Sequence, residues 1–425
     1  MLEANTSHQS SGDRDEGTVR LAGAGAGARR RPDERAAGQV TIVHVMTAPV
    51  SLAFLAGQVS YMRDAGFAVH AITSPGPELT DFGARERVNV LAVSMSRRIT
   101  PLQDLAALWL LWRALRRIRP EIVHAHTPKG GLLGMIAAWL ARVPVRVYHL
   151  RGLPFVTATG LKRGVLRTTE RISCRLAHRV LAVSRSMRAI AIEEGFCQGE
   201  KIKVLLGGSG NGVDATGRFA PLPPEARLES RARMGIPADA LVIGFVGRLV
   251  RDKGMVELAS AWRHLREVFP GLHLLLAGSL DREDAAPEEV VAVLRSDPRV
   301  HFTGHSRDMP RLYAAMDVVA LPTYREGFPN VALEAAAMAL PIVLTQVPGC
   351  IDAVQGGVTG TFVPPRESRA LEVALRRYLD EPALRARHGE AGRRRALAEF
   401  RREAIWDAIA SEYRALLQQR RGGPP

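Results

Sequence analysis

A chain of 425 residues, 46% of them hydrophobic, can bury two sizeable cores, and its length suits two domains better than one. Its three cysteines, Cys174, Cys197 and Cys350, are widely spaced with no CxxC pair, which argues against a disulfide framework or a zinc ribbon and fits a reducing cytosol. The net charge of +15 comes largely from arginine, but aromatics are only 5% and nowhere interleave with a basic run, so phosphorylated substrates or an anionic membrane surface explain it better than nucleic acid.

Residues 1–38 are Gly, Ala, Ser, Arg and acidic residues without periodicity and read as a disordered arm. The alternating Ala22-to-Gly27 stretch has no strand before it, so it is not a dinucleotide fingerprint. No apolar core segment marks a signal peptide, and runs such as Leu105 to Trp112 fall well short of the roughly 20 residues of a spanning helix. The expectation is a soluble or peripheral cytoplasmic protein.

Short apolar strands then alternate with helices, predicting an α/β protein with parallel sheets. The first unit, 39–219, has strands at Val40–Val45, Ala68–Ile72, Val88–Val93, Ile122–Ala125, Val145–His149 and Arg179–Val183. Pro221-Leu222-Pro223-Pro224 reads as a linker. The second unit, 220–400, has strands at Leu241–Val246, Leu272–Ala277, Val300–Thr303, Val318–Leu321, Ile342–Thr345 and Gly360–Val363. Helices follow at about 368–380 and 402–418, the latter within a terminal segment, 401–425, that ends in disorder. A ligand belongs in the cleft between two such units, at the carboxyl ends of their strands.

Four stretches carry candidate chemistry. Pro128-Lys129-Gly130-Gly131 opens a helix, which places Lys129 to meet an anion. His124 and His126 share a strand face, but two imidazoles without an evident third ligand predict no metal. After the strand Leu241–Val246 comes Gly247-Arg248-Leu249-Val250-Arg251-Asp252-Lys253-Gly254 and then a helix, an arrangement that holds phosphate: Arg248 can fork onto two oxygens and Lys253 adds a point charge. Finally, Glu326-Gly327-Phe328-Pro329-Asn330-Val331-Ala332-Leu333-Glu334 puts Glu326 beside a helix start and Glu334 about two turns in, where both can accept hydrogen bonds from vicinal hydroxyls. Alone, those nine residues fit a capped surface helix equally well.

Two basic stretches complete the pattern. Leu102 to Pro120 combines Leu105, Leu108, Trp109 and Trp112 with Arg113, Arg116, Arg117 and Arg119, which suits either a helix on an anionic bilayer or a core helix with a basic outer end. Arg163, Arg167, Arg171, Arg175 and Arg179 recur every four residues as a cationic stripe, either a solvated face or a lipid-phosphate contact.

Taken in order, the Gly-Arg and Lys-Gly pairs followed by Glu, seven residues, Glu resemble the retaining, GT-B glycosyltransferases of family 4, over roughly residues 40–400. The His-Thr-Pro-Lys stretch resembles that family's capsule and O-antigen branch. The resemblance implies two Rossmann-like domains facing across a cleft, the first for acceptor and the second for donor, with the last helices packing back on the first. It implies transfer of a hexose or N-acetylhexosamine from a nucleotide diphosphate sugar, UDP-linked, to a lipid-diphosphate-linked or saccharide acceptor, with neither cofactor nor metal. Arg248, Lys253 and Glu326 would be catalytic. Gly247, Gly304, His305, Gly327, Phe328, Pro329, Asn330, Val331 and Glu334 would bind the donor, Glu334 at the ribose and the Phe302-to-His305 stretch at the base. Three positions depart from the family. Arg151 stands where a histidine usually faces the donor sugar, and with Lys129 becomes a candidate for acceptor or donor phosphate. The loop Thr47 to Ser51 lacks paired glycines, and Ala339 replaces a glycine. A nucleotide-sugar epimerase or hydrolase on the same scaffold, or a non-catalytic binding module, would carry the same donor residues.

Overall fold

The protein is described here by a computed structural model covering residues 39–280 and 285–422; the arm expected at 1–38 lies outside the described residues. Two fully parallel sheets, with helices between their strands, organise the described residues. The first contains β1 (Val40–Val45), β2 (Phe67–Thr73), β3 (Asn89–Ala92), β4 (Ile122–His126), β5 (Val145–Leu150), β6 (Arg179–Ala182) and β7 (Ile202–Lys203), in the order β3-β2-β1-β4-β5-β6-β7. The second contains β8 (Leu241–Val246), β9 (Leu272–Ala277), β10 (Val300–Gly304), β11 (Val318–Leu321), β12 (Ile342–Thr345) and β13 (Gly360–Val363), in the order β10-β9-β8-β11-β12-β13. Strand order reverses between β1 and β4 and between β8 and β11, and each reversal leaves a crevice at the carboxyl end of its sheet.

The central strands are buried on both faces, which is why they read as continuous apolar runs: β4, β9, β11 and β12 are buried throughout. The polar exceptions in the first sheet, His44, His124, His126 and His149, sit on neighbouring strands, with His44 opposite His124 and His126 opposite His149.

Three elements differ from expectation. Strand β7 is two residues long, too short for any periodicity. The proline-rich stretch expected as a linker is irregular through Pro223, but its last residue starts a helix, Pro224–Arg233, because Pro224 occupies the first helical position, where a missing N–H costs nothing. That helix is pinned to β8 and β11 by Asp317, which pairs with Arg227 at 2.7 Å and with the buried Arg231 at 2.8 Å and accepts from the Val242 N–H at 2.8 Å. A further helix, Pro382–Glu399, has buried Gly389 and Gly392 in its interior, which hid it in the sequence. Gly389 is required there because a side chain would strike the carbonyl of Ala339.

The helix Arg402–Arg421 buries Ile405, Trp406, Ile409, Tyr413, Leu416 and Leu417 against the first sheet, in one cluster with Ile42, Val69 and Val147. The two halves also meet at Asp352, whose carboxylate accepts from the backbone N–H groups of Arg185 (3.1 Å) and Ser186 (3.2 Å) and so caps the helix Arg185–Glu193.

Candidate active site

A cleft of about 360 Å³ lies between the sheets. The first half contributes Phe54 from the turn after β1, Thr127 and Pro128 after β4, and Arg151, Gly152, Leu153 and Pro154 after β5. The second contributes Arg248, Val250, Asp252 and Lys253 after β8, and Tyr324, Arg325, Glu326 and Gly327 after β11. All these segments leave the carboxyl ends of their strands, so the parallel topology itself brings them together.

On the second half, Gly254 turns the chain back with φ 76°, and a side chain there would collide with the Pro322 carbonyl. This close approach sets Lys253 against Glu326, and the two form an ion pair. Beside them Arg325 pairs with Asp252 at 2.9 Å, and the Asp252 carbonyl accepts from the Tyr324 N–H at 2.8 Å. Gly327 is packed so closely on the Arg151 carbonyl that a side chain would overlap it, so the two halves touch here backbone to backbone. Glu334 accepts a hydrogen bond from Tyr313 at 2.8 Å, and burial raises its carboxyl to about 7 despite that bond and the nearby Arg218.

On the first half, Arg151 is half-buried with its guanidinium 5.0 Å from the centre of the Phe54 ring. Its Nε donates to His126 Nδ1 at 3.2 Å, while Nη2 has no hydrogen-bond partner among the described residues. Burial lowers the Arg151 pKa to about 9, so the group stays charged at neutral pH. Burial, with the neighbouring Arg151, lowers the pKa of His44 to about 3, and His124, His126 and His149 are also held well below the usual range, so all four rings are neutral.

The cleft thus brings together five residues singled out in the sequence: Arg151, Arg248, Lys253, Glu326 and Gly327. Lys129 is not one of them. Its ammonium lies 2.7 Å from Asp104 and also donates to the Arg98 carbonyl, while the Gly130 N–H of the same helix start goes to the Thr47 hydroxyl at 2.8 Å. The anion expected there is supplied by the protein itself. Phe328 is a wedge between the halves: its ring is 5.5 Å from Phe400 and packs over Gly208. Pro329 caps the helix Asn330–Ala337, whose first turn holds Asn330 and Val331. Gly247 (φ 148°) and Gly304 (φ 63°) turn the chain after β8 and at the end of β10, and His305 is exposed. The histidine pair of β4 gains a third imidazole: ring nitrogens of His44, His124 and His126 lie within 4.8 Å of one another. No spacing in the chain marks it, because the pairing of β1 with β4 is a property of sheet order. Phe54, Tyr324 and Arg325 are lining residues that no motif marked, and Asp252 sits inside the Gly247-to-Gly254 stretch with no role assigned to it there.

Two parallel sheets with phosphate-competent cations and hydroxyl-competent carboxylates at their facing ends form a cleft suited to a ligand that carries both phosphate and hydroxyl groups. Residues 51–208 match the family description "Glycosyl transferase 4-like domain" and residues 240–381 match "Glycosyl transferases group 1". The chain belongs to glycosyltransferase family 4 and has the GT-B fold. It is 32% identical over 381 residues to the capsular polysaccharide biosynthesis glycosyltransferase CapM of Staphylococcus aureus, covering 90% of this chain and 98% of that protein. It is 26% identical to a UDP-Gal:alpha-D-GlcNAc-diphosphoundecaprenol alpha-1,3-galactosyltransferase of Escherichia coli, covering 75% and 81% of the two chains. Among solved structures, Anabaena Alr3699/HepE in complex with UDP-glucose matches with a TM-score of 0.75 at 22% identity, covering 89% of this chain and 100% of that one.

Proposed function

We propose that this glycosyltransferase moves a hexose or N-acetylhexosamine from a UDP-sugar, with retention of configuration, to a lipid-diphosphate-linked or saccharide acceptor in surface polysaccharide assembly. The observation that carries this is the meeting of Arg248, Lys253 and Glu326 with Arg151 in one cleft. The names of the relatives, a capsular polysaccharide enzyme and a galactosyltransferase acting on a diphosphoundecaprenol-linked sugar, support the acceptor class.

As the glycosidic bond breaks, negative charge grows on the departing nucleoside diphosphate, and Arg248 and Lys253 stabilise it in place of a metal. Glu326 holds donor-sugar hydroxyls and Glu334 the ribose hydroxyls. The Lys253–Glu326 ion pair is the resting arrangement: Lys253 shifts its charge to phosphate while Glu326 takes up hydroxyl hydrogens. Both carboxylates of the cleft, Glu326 and Asp252, are engaged by cations, which leaves neither as a ready enzymic nucleophile and favours attack by the acceptor hydroxyl on the face the diphosphate leaves. Gly304 and His305 would border the base, and Gly247, Gly327, Asn330 and Val331 would offer backbone groups to the donor.

No described helix is long and apolar enough to cross a membrane. We place the enzyme peripherally on the cytoplasmic face, reached through the helix Pro101–Ile118. The test of the function is incubation with labelled UDP-, GDP- and ADP-sugars and a polyprenyl-diphosphate-sugar acceptor, with and without EDTA. The expected result is label in the lipid fraction from a UDP-sugar, with the donor's anomeric configuration and undiminished by EDTA. Free sugar released without transfer would instead show a hydrolase or epimerase, and donor binding without any turnover a binding module.

A further inference from the structure

The buried histidines of the first sheet end on a cleft cation, Arg151, that forms no ion pair with a carboxylate among the described residues. Arg151 donates through Nε to His126 Nδ1 at 3.2 Å, so that nitrogen carries no proton, and the neutral ring must hold its proton on Nε2. Nε2–H in turn donates to His44 Nδ1 at 3.0 Å, which puts the His44 proton on Nε2. Phe54 covers one side of the guanidinium at 5.0 Å, and Gly210 is bare enough to let it lie against the backbone. What remains is Nη2, buried, without a partner among the described residues, on a side chain that lines the cleft. A guanidinium with a buried, unpartnered Nη2, whose Nε donates to a neutral ring, calls for an anion from outside the protein.

We infer that Arg151 is a ligand for a phosphoryl oxygen of the substrates, and that His126, held by His44, is the positioning residue that fixes its guanidinium. This deepens the transferase reading and rests on it. A metal at His44, His124 and His126 is the competing use of the cluster, but a ligating histidine normally donates its outer N–H to an acceptor, and here the outer nitrogen of His126 receives a hydrogen bond from a cation. The arrangement also accounts for the arginine at 151: only a fork with a spare N–H can bind His126 and an oxyanion together.

The phosphoryl group belongs either to the donor diphosphate or to the acceptor diphosphate, and two measurements separate them: the Kd for UDP by calorimetry and the KM for the polyprenyl-diphosphate-sugar. Arg151→Met is expected to weaken one of the two at least tenfold. His126→Leu should weaken the same one similarly, while His126→Asn, which keeps an acceptor near the Nδ1 position, should recover most of it. In an Arg151→Met background His126→Leu should add nothing further, because its effect runs through the arginine. An unchanged Kd and KM in Arg151→Met, or an equal loss from His126→Leu with and without Arg151, overturns the inference. A wild type that binds UDP and transfers sugar in the same experiments shows that the broader reading survives that failure. Since His126→Leu removes a buried partner and can fail to fold, nitrogen-15 NMR of the histidines in the unsubstituted protein gives an independent test. The Nε2–H tautomer is required for His126, and an Nδ1–H tautomer contradicts the proposal.

Discussion

Burial against Tyr313 holds Glu334 near the midpoint of its titration at neutral pH, about 7, whereas a solvated Glu is ionised there. The sign of the linkage is fixed: between about pH 4.5 and about pH 7 the folded protein keeps a proton the unfolded chain has lost, so without ligand this group's contribution to stability declines as pH rises through that window. In the proposed assignment ribose hydroxyls would donate to the ionised form, so donor binding should expel the proton. UDP affinity is therefore expected to fall as pH drops from about 8 to about 6, approaching tenfold per unit at the acid end, with proton release visible as buffer-dependent calorimetric heat. Glu334→Gln should flatten that dependence and weaken binding overall by about 1.5–3 kcal/mol, the worth of a hydrogen bond to a charged group. Binding by the wild type that is independent of pH would remove Glu334 from the ribose. The residue type and spacing of Glu326 and Glu334 were legible in the sequence, as were Arg248 and Lys253. The pairing of Lys253 with Glu326 and the tie of Lys129 to Asp104 were not, because both depend on side chains brought together from distant segments.

The helix Pro101–Ile118 shows how much one element reveals by its own pattern. It buries Ala107, Leu111 and Leu115 and exposes Leu102 (84%), Leu105 (64%) and Trp109 (53%), with the Arg113 guanidinium 5.4 Å from the Trp109 ring centre. It is packed on the core, as one sequence reading has it, and its outer stripe leaves apolar side chains exposed beside Arg113, Arg116 and Arg117, which the bilayer reading would need. The arginine stripe is different. Arg163 and Arg167 face Glu194, and Arg179, which begins β6, lies 2.6 Å from Glu412, so periodicity alone overstated its free charge. The first helix is therefore the membrane candidate. Vesicles containing anionic lipid should bind the protein more than neutral ones at low salt, with about 1 kcal/mol per basic residue and progressive loss as salt screens the attraction. Changing Arg113, Arg116 and Arg117 together to Gln should remove most of that preference. Equal binding to neutral and anionic vesicles would exclude this surface.

At the scale of the whole molecule, two sheets point the carboxyl ends of their strands at each other, and the cleft exists only because both do. That architecture was readable from strand–helix alternation, since buried parallel strands announce themselves as apolar runs. The elements it missed were those whose cause is non-local: the helix Pro382–Glu399, whose Gly389 and Gly392 answer to Ala339 and Ala336, and the helix Pro224–Arg233, whose Arg231 finds Asp317 just before β11. The histidine cluster belongs with them, since four residues from three strands converge only through sheet order. In the proposed reaction this cleft binds the donor with one set of groups and drives transfer with another. The most direct measurement of that division is the pair of UDP-sugar Kd and kcat in Glu326→Gln. With Lys253 released from its ion pair, the Kd should stay within about threefold of the wild type, while loss of a hydrogen bond strengthened in the transition state lowers kcat by about 100-fold or more. A variant that turns over like the wild type, or that loses donor affinity and turnover in equal measure, would contradict the account.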